Sequence, residues 1–167
     1  FKLQLFDERK LKLIDGIWNI RSCTGNKFLK EINPMNMKGL TKETVIGQVK
    51  RIINSYYVFL GYTEFANYIQ KKSTISDDIT EPKRRAALIK AKLKQQFSNR
   101  LIIIDEVHNI RITDDKSDKK RVAQELFKLV RYADNMRLLL LSATPMYNSY
   151  KEIIWLVNIM NLNDRRS

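Results

Sequence analysis

Two short runs of uninterrupted apolar residues stand out along the chain, Leu-Ile-Ile-Ile at 101–104 and Leu-Leu-Leu-Leu at 138–141. A strand with one wet face alternates apolar and polar positions, whereas an unbroken apolar run suits a strand covered on both faces, as in a parallel sheet. Between the runs lie a charged loop, 114–120, and an amphipathic segment from Val122 to about Tyr132, so strand, helix and strand make a crossover unit. After Ser149 the stretch from Tyr150 to Met160 places Ile153, Leu156, Val157 and Met160 on one face of a last helix.

The first two thirds of the chain read with weaker contrast. Leu11, Ile14, Ile17 and Trp18 fall at helical spacing, which predicts a helix within residues 1–21. Residues 23–27 read as a loop leading into a short element that stops at Asn33-Pro34, since the residue before proline avoids helical dihedrals. Thr41 is the expected N-cap of a helix through about Asn54, with Val45, Val49, Ile52 and Ile53 as its stripe. Residues 56–60 (Tyr-Tyr-Val-Phe-Leu) predict a strand. Thr63 is placed to cap a helix from Glu64 to about Lys71 that turns Phe65, Tyr68 and Ile69 inward. A polar loop at 73–80 precedes Pro82, which opens a helix carrying Ala86, Ile89, Leu93 and Phe97 and stopping near Ser98-Asn99. The whole predicts an α/β chain built on an open, mostly parallel sheet with helices on both faces.

Composition narrows the classes. With 167 residues, 44% of them hydrophobic, the chain is long enough for one core. Its mean hydropathy of −0.38 and the lack of an apolar run of about 18 residues exclude a transmembrane helix, so no membrane partner is expected. The first eight residues after Phe1 hold no apolar segment of the signal-peptide kind, which points to an intracellular protein. One cysteine, Cys23, and one histidine, His108, allow neither an internal disulfide nor a zinc cluster. The net charge of +13 suits DNA or RNA, although a lysine-rich surface that is merely solvated gives the same number.

Ligands of open parallel sheets gather at the carboxyl ends of the strands. There the first run is followed by Asp105-Glu106-Val107-His108 and the second ends in Ser142-Ala143-Thr144-Pro145. Adjacent carboxylates after a greasy strand are unfavourable unless solvated, bound to a cation or used on a catalytic water. An isolated Asp-Glu pair usually only caps a turn, and isolated Ser and Thr usually bond local backbone. The combination is more specific. It resembles superfamily 2 helicases, with residues 105–108 as motif II (Asp-Glu-x-His) and 142–144 as motif III (Ser-Ala-Thr).

The resemblance implies that Asp105 holds Mg²⁺ of a bound ATP, through water, and that Glu106 orients and deprotonates the attacking water. It also implies that His108, Ser142 and Thr144 couple the nucleotide state to nucleic-acid binding. Thr144-Pro145-Met146-Tyr147-Asn148, the segment 23–28 and the segment 61–68 are similar to helicases of large DNA viruses, among them poxvirus-type early-transcription ATPases and giant-virus relatives. That similarity implies a role in viral transcription, a viral RNA polymerase as a partner, and a place in the virion or host cytoplasm. It also puts Thr63 where a segment touches the bound strand, an N-cap role being the plain alternative. Lys83, Arg84, Arg85, Lys90, Lys92 and Lys94 form either a basic binding face or a solvated one.

A complete motor needs a G-x-x-x-x-G-K-[ST] loop to cradle the phosphates, and the sequence has none. Gly25-Asn26-Lys27-Phe28 lacks the leading glycine, the Gly-Lys step and the hydroxyl. Residues 1–167 are therefore expected to be part of a helicase ATP-binding lobe, with the phosphate loop, the second lobe and the rest of the parent chain elsewhere. The parent is then a nucleic-acid-dependent ATPase, and the isolated chain hydrolyses little ATP. The alternative is a non-catalytic module that binds nucleic acid or a transcription complex.

Overall fold

The computed structural model describes residues 2–110, 118–146 and 149–166, and the chain divides into two compact units, Phe1–Phe59 and Leu60–Ser167. Much of the loop expected over 114–120, and Tyr147 and Asn148, lie outside the described residues.

The first unit opens with a one-turn helix, α1 (Lys2–Leu5), and a 3-10 turn at Glu8–Lys10 whose N-cap Asp7 accepts from the Arg9 amide. Where helical spacing predicted a helix there is instead an antiparallel hairpin, β1 (Leu11–Ile14) with β2 (Ile17–Ile20), in the register Leu11↔Ile20 to Ile14↔Ile17. Its two-residue turn is Asp15-Gly16, with φ of 53° and 80°. Asp-Gly is the dipeptide that a turn with both central residues left-handed calls for, and it outweighs a four-residue apolar spacing. The short helix α2 (Lys27–Ile32) ends at Asn33 as expected. The helix α3 (Lys42–Tyr56) is capped by the Thr41 side chain accepting from the Thr44 amide. It buries Val45, Val49 and Ile53 against Phe6, Leu11, Ile20, Phe28 and Leu29.

The predicted strand at 56–60 does not form. Tyr56 closes α3, the Tyr57 amide donates to the Ile53 carbonyl, and no ladder follows.

The second unit holds α4 (Tyr62–Ser73), α5 (Pro82–Phe97), β3 (Leu101–Ile104), α6 (Asp118–Tyr132), β4 (Arg137–Leu140) and α7 (Tyr150–Asn163). The strands β3 and β4 are parallel, Leu101 opposite Arg137 and Ile104 opposite Leu140, with α6 as the crossover. The crossover unit expected from the two apolar runs is present, with the second strand one residue earlier. The helices α4, α5, α6 and α7 supply Ala66, Ile69, Leu93, Phe97, Leu126, Leu129 and Ile159 to a core that takes Ile104 from β3.

The expectation of an open, mostly parallel sheet is not met among the described residues, which form two separate two-stranded sheets. Nor are both faces of the parallel pair covered. Ile102, Ile104, Leu138 and Leu140 pack into the core, whereas Leu101 (59% exposed), Ile103 (44%) and Leu139 (45%) face outward. The unbroken apolar runs thus put apolar residues on both faces of the pair, one face packed and the other exposed.

Two ties fix the far end of this unit. Arg165, itself left-handed at φ 59°, donates to the carbonyls of Val130 (3.0 Å), Arg131 (2.8 Å) and Ala133 (2.6 Å) at the end of α6. Asp134 accepts from Lys94 at 2.7 Å and from Arg165 at 3.3 Å, and the Lys94 bond foremost holds its carboxyl below the usual range. No helix of the described residues is long and apolar enough to cross a membrane.

Candidate functional site

The ends of β3 and β4 are stitched together one step beyond the strands. The Leu141 amide donates to the Ile104 carbonyl and the Val107 amide to the Leu141 carbonyl, both at 2.9 Å. Between those two bonds Asp105 and Glu106 are turned out of the sheet and exposed, while Val107 is sunk into the core. A reversal this tight requires a left-handed residue, and Glu106 takes that role with φ 48° and ψ 47°. For a residue with a Cβ such a conformation costs roughly 1–2 kcal/mol and persists only when neighbours fix it. Here Asn109 donates to the Glu106 carbonyl at 2.9 Å, closing a 3-10 turn over Val107–Asn109.

That turn presents His108, 20% exposed, to β4. Its Nδ1 lies 2.9 Å from the Ser142 hydroxyl and 3.2 Å from Oε2 of Glu106, which is 52% exposed. A carboxylate only accepts, so a proton on Nδ1 serves both oxygens, whereas a bare Nδ1 would take the Ser142 proton and face the carboxylate unfavourably. The geometry therefore favours Nδ1–H. Ser142 also accepts from the Thr144 amide at 3.1 Å, which fixes the turn after β4. Asp105, Glu106, His108, Ser142 and the Thr144 backbone, 34 or more residues apart across the two motifs, thus form one hydrogen-bonded set.

A further side chain enters this set from α4. The Tyr62 hydroxyl lies 2.5 Å from the Asp105 carbonyl and 3.2 Å from that of Glu106. The sequence hides this role, because the hydroxyl of Thr63 offers itself as the cap of the helix and places Tyr62 before it. The N-cap is Gly61, whose amide donates to the Glu64 carboxylate at 2.9 Å. A glycine followed three residues later by glutamate carried the information, in the form of half a capping box. Thr63 is an exposed residue of the first turn, next to Tyr62, and makes no cap bond. Glu64 takes up one of the N-terminal amides on which an anion would otherwise draw.

The basic residues of α5 are partly committed to structure. Lys92 donates to the Thr74 carbonyl, Lys94 pairs with Asp134, Arg85 donates to the Ile79 carbonyl at 3.3 Å and Lys90 lies 6.0 Å from the Tyr132 ring centre. Among the described residues no three His, Cys, Asp or Glu side chains are grouped so as to hold a metal ion by themselves.

Residues 25–165 match the model of the SNF2-related domain, a helicase superfamily 2 family. A protein of Invertebrate iridescent virus 3 named as a helicase is 27% identical over 113 residues, covering 68% of this chain and 10% of that protein. Two proteins of Acanthamoeba polyphaga mimivirus named as ATP-dependent RNA helicases are 28% identical over 112 residues and 23% identical over 154. They cover 66% and 84% of this chain, and 15% and 13% of their own lengths. The chain thus spans between a tenth and a sixth of the relatives it matches. No solved structure matches it.

Proposed function

Because this chain belongs to the SNF2-related domain family, we propose that it is part of an ATP-dependent nucleic-acid helicase or translocase and carries that motor's hydrolytic carboxylates. The observation that supports this most is the bond of 2.9 Å between His108 Nδ1 and Ser142 Oγ, which brings the two strand-end motifs into one network. In this reading the two strands belong to the larger open parallel sheet of a RecA-like lobe, and their bare face is part of it.

The carboxylate turn fits a magnesium ion that arrives with a nucleotide. Mg²⁺ of that kind takes one or two carboxylates and completes its shell with phosphate oxygens and water. Asp105 and Glu106 are two exposed carboxylates at a strand end, with no third acid needed. The bound Mg²⁺ would neutralise phosphate charge. Asp105 would hold it through water, and Glu106 would orient the attacking water and accept its proton. His108, bonded to Glu106 on one side and to Ser142 on the other, would tie the position of that base to the segment after β4. The +13 charge suits a DNA or RNA strand, with Thr63 on the exposed first turn of α4 as a candidate phosphate contact.

The sequence has no phosphate loop, so this chain alone lacks the lysine and amides that clamp the nucleotide. The test is ATP hydrolysis with and without single-stranded DNA or RNA, by the full-length protein and by this chain, each also as Glu106→Gln. Strand-stimulated hydrolysis is expected from the full-length protein, roughly 10²-fold or more weaker in Glu106→Gln, and negligible from this chain. A full-length protein indifferent to Glu106→Gln would overturn the assignment. The +13 charge favours a second reading, a non-catalytic module that binds nucleic acid or a viral transcription complex. It predicts salt-dependent strand binding that nucleotide leaves unchanged.

A further inference from the structure

We propose that Tyr62 is a positioning residue, which sets the direction of both carboxylates by gripping the peptide between them and makes that direction depend on the first turn of α4. The catalytic part of this inference rests on the hydrolytic reading above. The grip itself rests on geometry.

The peptide joining Asp105 to Glu106 is held at both ends. Its carbonyl oxygen accepts the Tyr62 hydroxyl at 2.5 Å, and its N–H donates to the Asp105 carboxylate at 3.1 Å. Rotating that plane carries the N–H away from the Asp105 carboxylate and changes the φ of Glu106, so whatever fixes the plane fixes the bond that orients Asp105 and the left-handed conformation from which Glu106 projects. The plane is not fixed by sheet bonding, because the ladder bonds pass from Ile104 to Leu141 and from Leu141 to Val107 and skip this peptide. Nor is it fixed by intrinsic preference, since the left-handed Glu106 conformation is the costlier one. A donor brought from outside the turn is what the position lacks, and Tyr62 brings it from 43 residues away.

The phenol has a rigid mount. Tyr62 is the first residue of α4, whose Ala66 and Ile69 are fully buried, and the Glu64 bond to the Gly61 amide holds the start of the helix. A displacement of this first turn, for example by an anionic strand settling against Thr63, would therefore reach the carboxylates without any side chain of α4 touching them.

Tyr62→Phe removes the hydroxyl and keeps the ring. In the full-length protein it should lower strand-stimulated kcat by roughly 10- to 100-fold, with KM for ATP and the melting temperature unchanged. Hydrolysis like wild type would overturn the proposal. A fall in kcat accompanied by a raised KM and a lowered melting temperature would overturn it too, by showing a merely structural contact. Hydrogen exchange supplies a second arm that needs no hydrolysis. Adding a single-stranded oligonucleotide to the full-length protein should slow exchange of the amides at 106–110 in wild type but not in Tyr62→Phe. Equal slowing in both would sink the inference. Loss of hydrolysis in wild type itself would sink the hydrolytic reading, and the exchange arm would still decide the grip.

Discussion

Replacing Ser142 by Ala removes the hydroxyl that joins the two strand ends, and the structure bounds what that should cost. The bond to His108 is 2.9 Å long and half-buried, a setting in which one hydrogen bond contributes about 0.5–1.5 kcal/mol net. Neither partner is stranded by the change. The imidazole keeps Glu106 Oε2 at 3.2 Å, and the Thr144 amide, which loses the same hydroxyl, belongs to an exposed residue that water can serve. The upper end of the range, which reflects buried groups left unpaired, is therefore not reached. An interaction of about 1 kcal/mol is expected, or roughly fivefold in rate if the bond matters in the transition state.

A double-mutant cycle isolates that term. Ser142→Ala, His108→Ala and the pair would be compared in the full-length protein by steady-state ATP hydrolysis, with and without single-stranded nucleic acid. The coupling should appear in the strand-stimulated rate and be small in the basal rate. Independent sites add within about 0.3–0.5 kcal/mol. Effects on stimulated hydrolysis that add to within that margin would refute the view that this bond links the motifs functionally, whatever the single substitutions do.

Two further predictions concern the frame behind the site, and both can be made on this chain. Arg165→Ala deletes donors to three carbonyls at the end of α6, and with the guanidinium partly exposed a loss of about 2 kcal/mol is expected, read as a melting temperature lower by roughly 4–8 °C; an unchanged melt would show those bonds to be replaceable by water. Asp134 has its carboxyl lowered, chiefly by the Lys94 bond, so its stabilising effect is full above its unfolded value near 3.8 and is lost as pH falls through the lower folded value. Thermal melts from pH 6 downward should accordingly converge for wild type and Asp134→Asn only at the acid end, and parallel curves throughout would contradict the assignment.

How much of this was legible in the sequence depends on whether the governing interaction was local. The helices at 42–56 and 82–97 were readable because Thr41 and Pro82 mark their starts and the apolar stripe repeats at helical spacing. The crossover of β3, α6 and β4 was readable because unbroken Leu and Ile runs have few other uses. The hairpin at 11–20 is hidden because Leu11, Ile14, Ile17 and Trp18 also satisfy a helical period, whereas the signal that decides against it is the two-residue turn Asp15-Gly16. The strand expected at 56–60 shows the opposite failure. Its aromatic and β-branched residues have the right propensity, but a strand exists only through bonds to a partner, which propensity cannot supply. In the site, Asp105, Glu106, His108, Ser142 and Thr144 stand out in the sequence as two strand-end motifs, and the structure brings them within one hydrogen-bonded set. Tyr62 could not be assigned a role, since its partner is backbone 43 residues away.

The carboxylate turn combines the most exposed acids of the site with its least favourable backbone. Glu106 is left-handed where Val107 enters the core and the preceding acids stay in solvent, and the turn itself bonds that residue through its N–H to the Asp105 carboxylate and its carbonyl to the Asn109 amide. Further restraint comes from two segments: the one after β4, with the Leu141 carbonyl holding Val107 and Ser142 sharing His108 with Glu106, and α4, with Tyr62 holding the peptide in front. Both lie outside the turn itself. A strained turn held partly from outside responds to those supports as well as to its own residues. Under the proposed function, the direction of Asp105 and Glu106 would depend on α4 and on the segment after β4, and a bound strand and a bound nucleotide would reach the same two carboxylates through those two segments.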